Sequence, residues 1–110
     1  MRLEEALRAI DEQISVLSAI VQETEATISA LKELKERGEA LMPVGAGIMV
    51  PVKMNGEKIL VNVGGNVFAE RDIDSAIELL QKRKEAVRSA LEKTRQQRVK
   101  LLEQARRVQR

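Results

Sequence analysis

Four groups of residues have types and spacings that could carry chemistry. Gly45-Ala46-Gly47 has the small, amide-rich character of a phosphate-binding loop. Such a loop needs a following Gly-Lys-Ser/Thr and a helix that receives the phosphate, and neither follows. The dinucleotide pattern fails as well, because position 50 is Val. Gly64-Gly65 precedes a helical stretch, but Asn66 to Arg71 intervene, so its amides are not placed at the helix N-terminus. Asp72 and Asp74 form a carboxylate pair. At a helix start that pair reads as a cap plus an acid complementing the positive end of the helix dipole. The last turns of the chain are basic: Arg95, Arg98, Lys100, Arg106, Arg107 and Arg110 stand against Glu103. They read as a solvated face at the negative end of a helix, with acidic protein segments or nucleic acid as the functional alternatives. With no Trp or Tyr and a single Phe there is no platform for base stacking, and nucleic acid is not expected as a partner.

Without His or Cys, no nucleophile–base constellation can be assembled and the commonest metal ligands are missing. The expectation is a protein that is not an enzyme, with no catalytic residues, no cofactor and no metal. The net charge of +2 does not call for a polyanionic partner. Ala40 to Val52 is uncharged but short and broken by Pro and Gly, so no membrane span is expected. The opening MRLEEALRAI lacks the apolar core of a secretion signal, and a cytoplasmic location is the expectation.

What must position these residues is a helix, a β unit and a second helix. From Arg2 to Arg37, steps of four and three pick out Leu3, Leu7, Ile10, Ile14, Leu17, Val21, Thr24, Ile28, Leu31 and Lys35. This is a coiled-coil seam, with Leu34, Ile20 and Ala30 placed to widen it. Gly38 supplies a C-cap. After the N-cap Asp72, the same stepping gives Ile73, Ile77, Leu80, Lys84, Val87, Leu91, Thr94, Arg98, Leu101, Ala105 and Val108. Lys84, Thr94 and Arg98 are polar breaks of the kind that set register. At 1.5 Å per residue each helix spans roughly 50–60 Å. Near-equal lengths on either side of a β unit imply an antiparallel pair. Leu3, Ala6, Leu7 and Ile10 then lie near Leu101, Leu102, Ala105 and Val108, where they complete the seam or stay open at a frayed end.

Leu41 to Glu70 holds both prolines, the single Phe and five of the six glycines. Asn55-Gly56 between alternating apolar runs predicts a two-residue hairpin. It pairs Met54 with Glu57 and then Val52 with Ile59, Val50 with Val61 and Ile48 with Val63, the last six on one apolar face. The wetter face carries Lys53 opposite Lys58 and Met49 opposite Asn62, and Pro51 stands opposite Leu60. Flanking pieces at Leu41–Val44 and Val67–Glu70 add two short strands, turned by Gly45/Gly47 and by Gly64-Gly65-Asn66. Four short strands with one apolar face cannot close a core alone, so the unit is expected to pack on copies of itself or a relative.

The segments LMPVGAG at 41–47, ILVNVGGNVF at 59–68 and AIELLQKR at 76–83 closely resemble the archaeal-type prefoldin α subunit family. The resemblance implies an α+β, mostly α fold: an antiparallel two-helix coiled coil joined by a short β-hairpin unit. It implies one prefoldin-like domain over 1–110, with helix at 1–37, the assembly unit at 41–70 and helix at 72–110. It implies an ATP-independent holdase that grips non-native proteins and passes them to a group II chaperonin. The implied assembly is a hexamer of two α-type and four β-type prefoldin subunits. Ile48, Val50, Val52, Ile59, Val61, Val63 and Phe68 are the expected assembly residues. Leu3, Leu7, Ile10, Leu101, Ala105 and Val108 are the expected client-binding residues. The chain is short for the family, which implies shortened coiled-coil arms, and its Asn-Gly loop is bare. A structural coiled-coil scaffold or filament former that binds no general clients is the alternative, since heptads alone support it equally.

Overall fold

The structure, a computed structural model, describes residues 2–56 and 58–108, without the side chain of Val108. Helix α1 (Arg2–Arg37) is followed by strands β1 (Glu39–Gly45), β2 (Ile48–Lys53), β3 (Lys58–Gly64) and β4 (Val67–Asp72), then by helix α2 (Ile73–Val108). Each helix has 36 residues, uninterrupted by Pro or Gly. Their ends carry the expected chemistry. Glu4 and Glu5 lie in the first turn of α1, and Lys35 and Arg37 in its last. Gly38 takes φ +72° and donates its N–H to the Leu34 carbonyl at 2.8 Å. At the start of α2, the Asp72 carboxylate accepts the Ser75 N–H at 2.7 Å, as an N-cap should.

Gly38 gives a clean stability prediction. A methyl group there would meet no atom within 4 Å, so Gly38→Ala costs only the left-handed backbone. The expected loss is about 1–2 kcal/mol, read from a denaturant midpoint. An unchanged midpoint would mean that the cap contributes nothing.

The chain forms two compact units, residues 1–23 with 84–110, and residues 24–83. In the first, Val21, Leu91 and Thr94 are buried and the other seam positions from Leu3 to Ala105 are half-buried. The Thr94 hydroxyl donates to the Ala90 carbonyl at 2.8 Å, which lets a polar side chain stay buried. Asp11 pairs with Arg98 at 2.7 Å. Asp11 is exposed and Arg98 only half-buried, so solvent screens the pair, which contributes less than about 1 kcal/mol and mainly marks register.

In the second unit, Ile28, Leu31 and Leu34 of α1 pack with Ala40 of β1 and with Ile73, Ala76 and Ile77 of α2. Met42, Val52, Met54, Ile59, Val61 and Leu80 border this cluster. The end of α1 and the beginning of α2 meet here, so the helices run antiparallel. Lys35, nominally a seam position, is exposed and forms an ion pair with Asp74. Ala30 and Leu34 are buried as expected, whereas Ile20 is 40% exposed and does not widen the stripe.

The strand pairing corrects the sequence-based hairpin. β1 pairs with β2 and β3 with β4, in two separate two-stranded sheets. The two flanking strands are real and their glycine turns hold. Asn55-Gly56 is not a hairpin turn but the connection between hairpins, and Glu57, its expected partner for Met54, lies outside the described residues. The reason is backbone geometry. A type I′ turn needs φ > 0 at both central positions. Ala46 (53°) and Gly47 (75°) meet that requirement, as do Gly65 (57°) and Asn66 (60°), while Asn55 does not. The Met54 N–H instead donates to the Gly38 carbonyl at 2.8 Å, drawing the connection onto the cap of α1. Val52 therefore stands opposite Ala40, Val50 opposite Met42 and Ile48 opposite Gly45. Ile59 stands opposite Arg71 and Val61 opposite Ala69, while Val63 falls in the irregularity between Asn62 and Gly64. Pro51 faces Leu41, Lys53 faces Glu39 and Met49 faces Pro43. Lys58 faces Asp72 and Asn62 faces Phe68.

Candidate assembly face and helix ends

Alternation sorts the hairpin side chains onto two faces. Ala40, Met42, Val52, Ile59 and Val61 take the face toward the unit's own core. Leu41, Met49, Leu60 and Phe68 take the opposite face and are 51–67% exposed. Val44, Ile48, Val63 and Val67, beside the two turns, are exposed as well. So many large apolar side chains in solvent within four strands is the signature of a surface meant to be covered.

The seven expected assembly residues thus divide. Ile48, Val50, Val63 and Phe68 are exposed. Val52, Ile59 and Val61 are half-buried against the chain's own helices, so they do not share one free face with the others. Their role is to seat the hairpins. Leu41, Val44, Met49, Leu60 and Val67 were missed. The signal that could have found them is an internal repeat: Val44-Gly45-Ala46-Gly47-Ile48 and Val63-Gly64-Gly65-Asn66-Val67 share one pattern 19 residues apart. Each breaks register before its closing pair, Gly45↔Ile48 or Gly64↔Val67. Two copies of one hairpin grammar, in place of one central hairpin, put Leu60 and Phe68 outside.

Two side chains fasten the second hairpin. The Asn62 carboxamide oxygen accepts the Gly64 N–H at 2.9 Å, closing the turn locally. The Arg83 guanidinium donates to the Asn62 carbonyl at 2.8 Å, tying β3 to α2.

Among the expected client-binding residues, Leu3, Leu7, Ile10, Leu101 and Ala105 are all half-buried, as are Ala6 and Leu102. The side chain of Val108 lies outside the described residues. These positions are neither sealed in the seam nor fully open. Nearby, Arg95, Lys100, Arg106 and Arg107 are exposed, Arg98 is engaged by Asp11, and Arg110 lies outside the described residues. Asp72 and Asp74 are the cap and the ion-pair partner described above. No cluster of three or more potential metal ligands occurs among the described residues. No helix among them is long and apolar enough to cross a membrane. The exposed hairpin face is apolar surface able to meet apolar surface.

Residues 3–110 match the family model of the prefoldin subunit. The chain is similar to prefoldin subunit alpha of Thermofilum pendens, 33% identical over 95 residues that cover 83% of this chain and 74% of that protein. It is similar to prefoldin subunit alpha of Methanosarcina mazei, 36% identical over 83% of this chain and 67% of that protein. A chain in the cryo-EM structure of filamentous PFD from Methanocaldococcus jannaschii superposes with a TM-score of 0.62 at 27% identity, covering 94% of this chain and 95% of that one.

Proposed function

The chain belongs to the prefoldin family, whose members are chaperone subunits rather than enzymes, and from that premise we propose that it is the α-type subunit of an ATP-independent holdase. The observation that carries this reading is the outer hairpin face, where Leu41, Met49, Leu60 and Phe68 stand in solvent. Among the described residues no side chain buries them, and other subunits are the proposed cover. β-type prefoldin subunits are the proposed partners, in a hexamer of two α and four β chains. Non-native proteins are gripped in the cytoplasm through Leu3, Leu7, Ile10, Leu101, Ala105 and Val108, and are then handed to a group II chaperonin. Each grip is a few half-buried apolar side chains and is weak. Several copies holding one client gain about 10²–10⁴ in avidity. The exposed arginines and Lys100 beside these residues suit acidic stretches of the same clients.

A second reading has an observation of its own. The filamentous relative covers nearly the whole of this chain and is nearly wholly covered by it. A chain that carries two equivalent hairpins has the parts to assemble with itself into an open series.

One experiment separates the two. A chemically unfolded protein is diluted into nucleotide-free buffer with this chain alone, then with this chain and a β-type prefoldin subunit, and light scattering is followed. Suppressed scattering is expected in the mixture. Scattering undiminished in both would sink the holdase reading, and filaments seen by electron microscopy for the chain alone would then favour the scaffold.

A further inference from the structure

We propose that one flank of the coiled coil in the first unit binds acidic amphipathic helices of client proteins; the inference rests on the holdase reading above. The seam leaves two flanks on each helix. One is made of the residues that directly follow a seam residue, the other of those that directly precede one. In an antiparallel pair like flanks lie together. The following flank mixes signs: Glu4, Arg8 and Asp11 stand on α1, with Glu92 and Arg95 on α2. Asp11 reaches across it to Arg98.

The preceding flank differs in kind. From Arg2 to Ile20 on α1, and from Ala86 to Arg107 on α2, it contains no acid. Its apolar floor carries Val16 and Ile20, 60% and 40% exposed. Lys93, Lys100 and Arg107 form a row beside it, all three exposed. They recur every seven residues, so they stand roughly 10 Å apart along the helix. None of them takes part in an ion pair among the described residues. Every other place on this flank after Arg2 holds Ala or Gln. Asp11 stands beside Arg98, so five residues further along α1 and five back along α2 Val16 comes level with Lys93. The floor and the cation row are therefore one surface. Charge complementarity names the occupant. A helix with one apolar stripe and an Asp or Glu at every seventh residue beside it meets both parts at once. A nucleic acid would meet the cations and leave Val16 and Ile20 uncovered, with no aromatic ring on either helix to stack a base.

The test uses two fluorescent helical peptides with one leucine stripe, flanked at every seventh residue by Glu in the first and by Lys in the second. Binding to the full chain, alone and mixed with a β-type subunit, is followed by anisotropy. Lys93→Glu with Lys100→Glu reverses the row. Arg95→Glu with Arg106→Glu makes the same change in net charge on the opposite flank, also at exposed positions. The Glu peptide is expected to bind about tenfold tighter than the Lys peptide, and to weaken as salt rises. The Lys93/Lys100 variant is expected to lose that preference at unchanged helix content, and the Arg95/Arg106 variant to keep most of it. Val16→Ser is expected to weaken the Glu peptide about threefold, as a lost apolar contact should. Equal losses in the two charge variants overturn the flank assignment, because binding then follows net charge alone. A DNA duplex bound as tightly as the Glu peptide, with Val16→Ser silent, overturns the polypeptide as occupant. A native chain heavier in gel filtration than the Lys93/Lys100 variant, without peptide, puts a second copy on the flank and overturns it as well. Light scattering from a diluted unfolded protein keeps the holdase reading separate. Suppressed scattering with no preference between the peptides overturns this inference alone. Undiminished scattering with the Glu peptide still preferred overturns the holdase reading and leaves the flank as a site for acidic helices.

Discussion

A chain with Asp at both Leu60 and Phe68 is expected to fold normally and to stay unassembled. The two residues lie diagonally on the outer face of the second hairpin, since Leu60 pairs with Glu70 and Phe68 with Asn62. Neither belongs to the core cluster. At 67% and 58% exposure, a polar replacement should cost the isolated chain no more than about 0.5 kcal/mol each, as at other surface positions. In an assembly the balance reverses. Covering one fully exposed large apolar side chain contributes about 1.5–3 kcal/mol, so these two, already partly covered, contribute about 2–4 together. At about 1.4 kcal/mol per decade, losing it weakens association roughly 10–10³-fold, before the cost of burying two carboxylates. Val61→Asp is the instructive contrast. Val61 packs against the chain's own core, so that variant should lose helix content and melt early, with assembly failing only as a consequence. Sedimentation and circular dichroism on the two variants separate these outcomes. A full-size assembly of the Leu60/Phe68 variant would refute the outer face as the interface.

The helices were legible except at Lys35 and Ile20, and the hairpins only in part. The seam from Leu3 to Ala105, the cap at Gly38 and the cap at Asp72 all follow from local rules. They depend on residues at most four positions apart, which a sequence displays directly. The four strands and their glycine turns were legible for the same reason. The pairing was not. Asn55-Gly56 has the better residue types for a tight turn, but pairing is a competition between turns. Gly45-Ala46-Gly47 and Gly64-Gly65-Asn66 together close two ladders where Asn55-Gly56 could close one. Faces were hidden by a related ambiguity. Ile48, Val50 and Val52 make one side of β2 apolar, yet Met49 and Pro51 make its other side apolar too. Alternation cannot say which of two apolar faces meets the helices. That is settled by where the ends of α1 and α2 bring Leu34 and Ile77, which is information at long sequence separation. Ile20 failed for a plainer reason: it is apolar and one step from the seam at Val21, but adjacent helix positions diverge by about 100°.

The helix-end assignment carries the second large effect. Leu7→Ser with Leu101→Ser is expected to leave the assembly's mass unchanged and to remove most of its hold on unfolded protein. Both side chains are half-buried, so each removes only part of a full leucine contact, about 1 kcal/mol toward a client. A client held by two subunits at once loses about 4 kcal/mol, or roughly 10²–10³ in affinity, because linked contacts multiply. The seam is weakened too, and a loss of holding could follow from unravelled helices alone. Ile14→Ser with Val87→Ser controls for that. Those residues are half-buried positions of the same seam and the same unit, so the stability cost should match. Thermal melts should therefore fall together for the two double variants, while light scattering from a diluted unfolded protein should rise only for Leu7/Leu101. Equal loss of holding in both would reduce the helix ends to structural residues. Undiminished holding by the Leu7/Leu101 variant would move the client site elsewhere on the chain or onto its partner subunits.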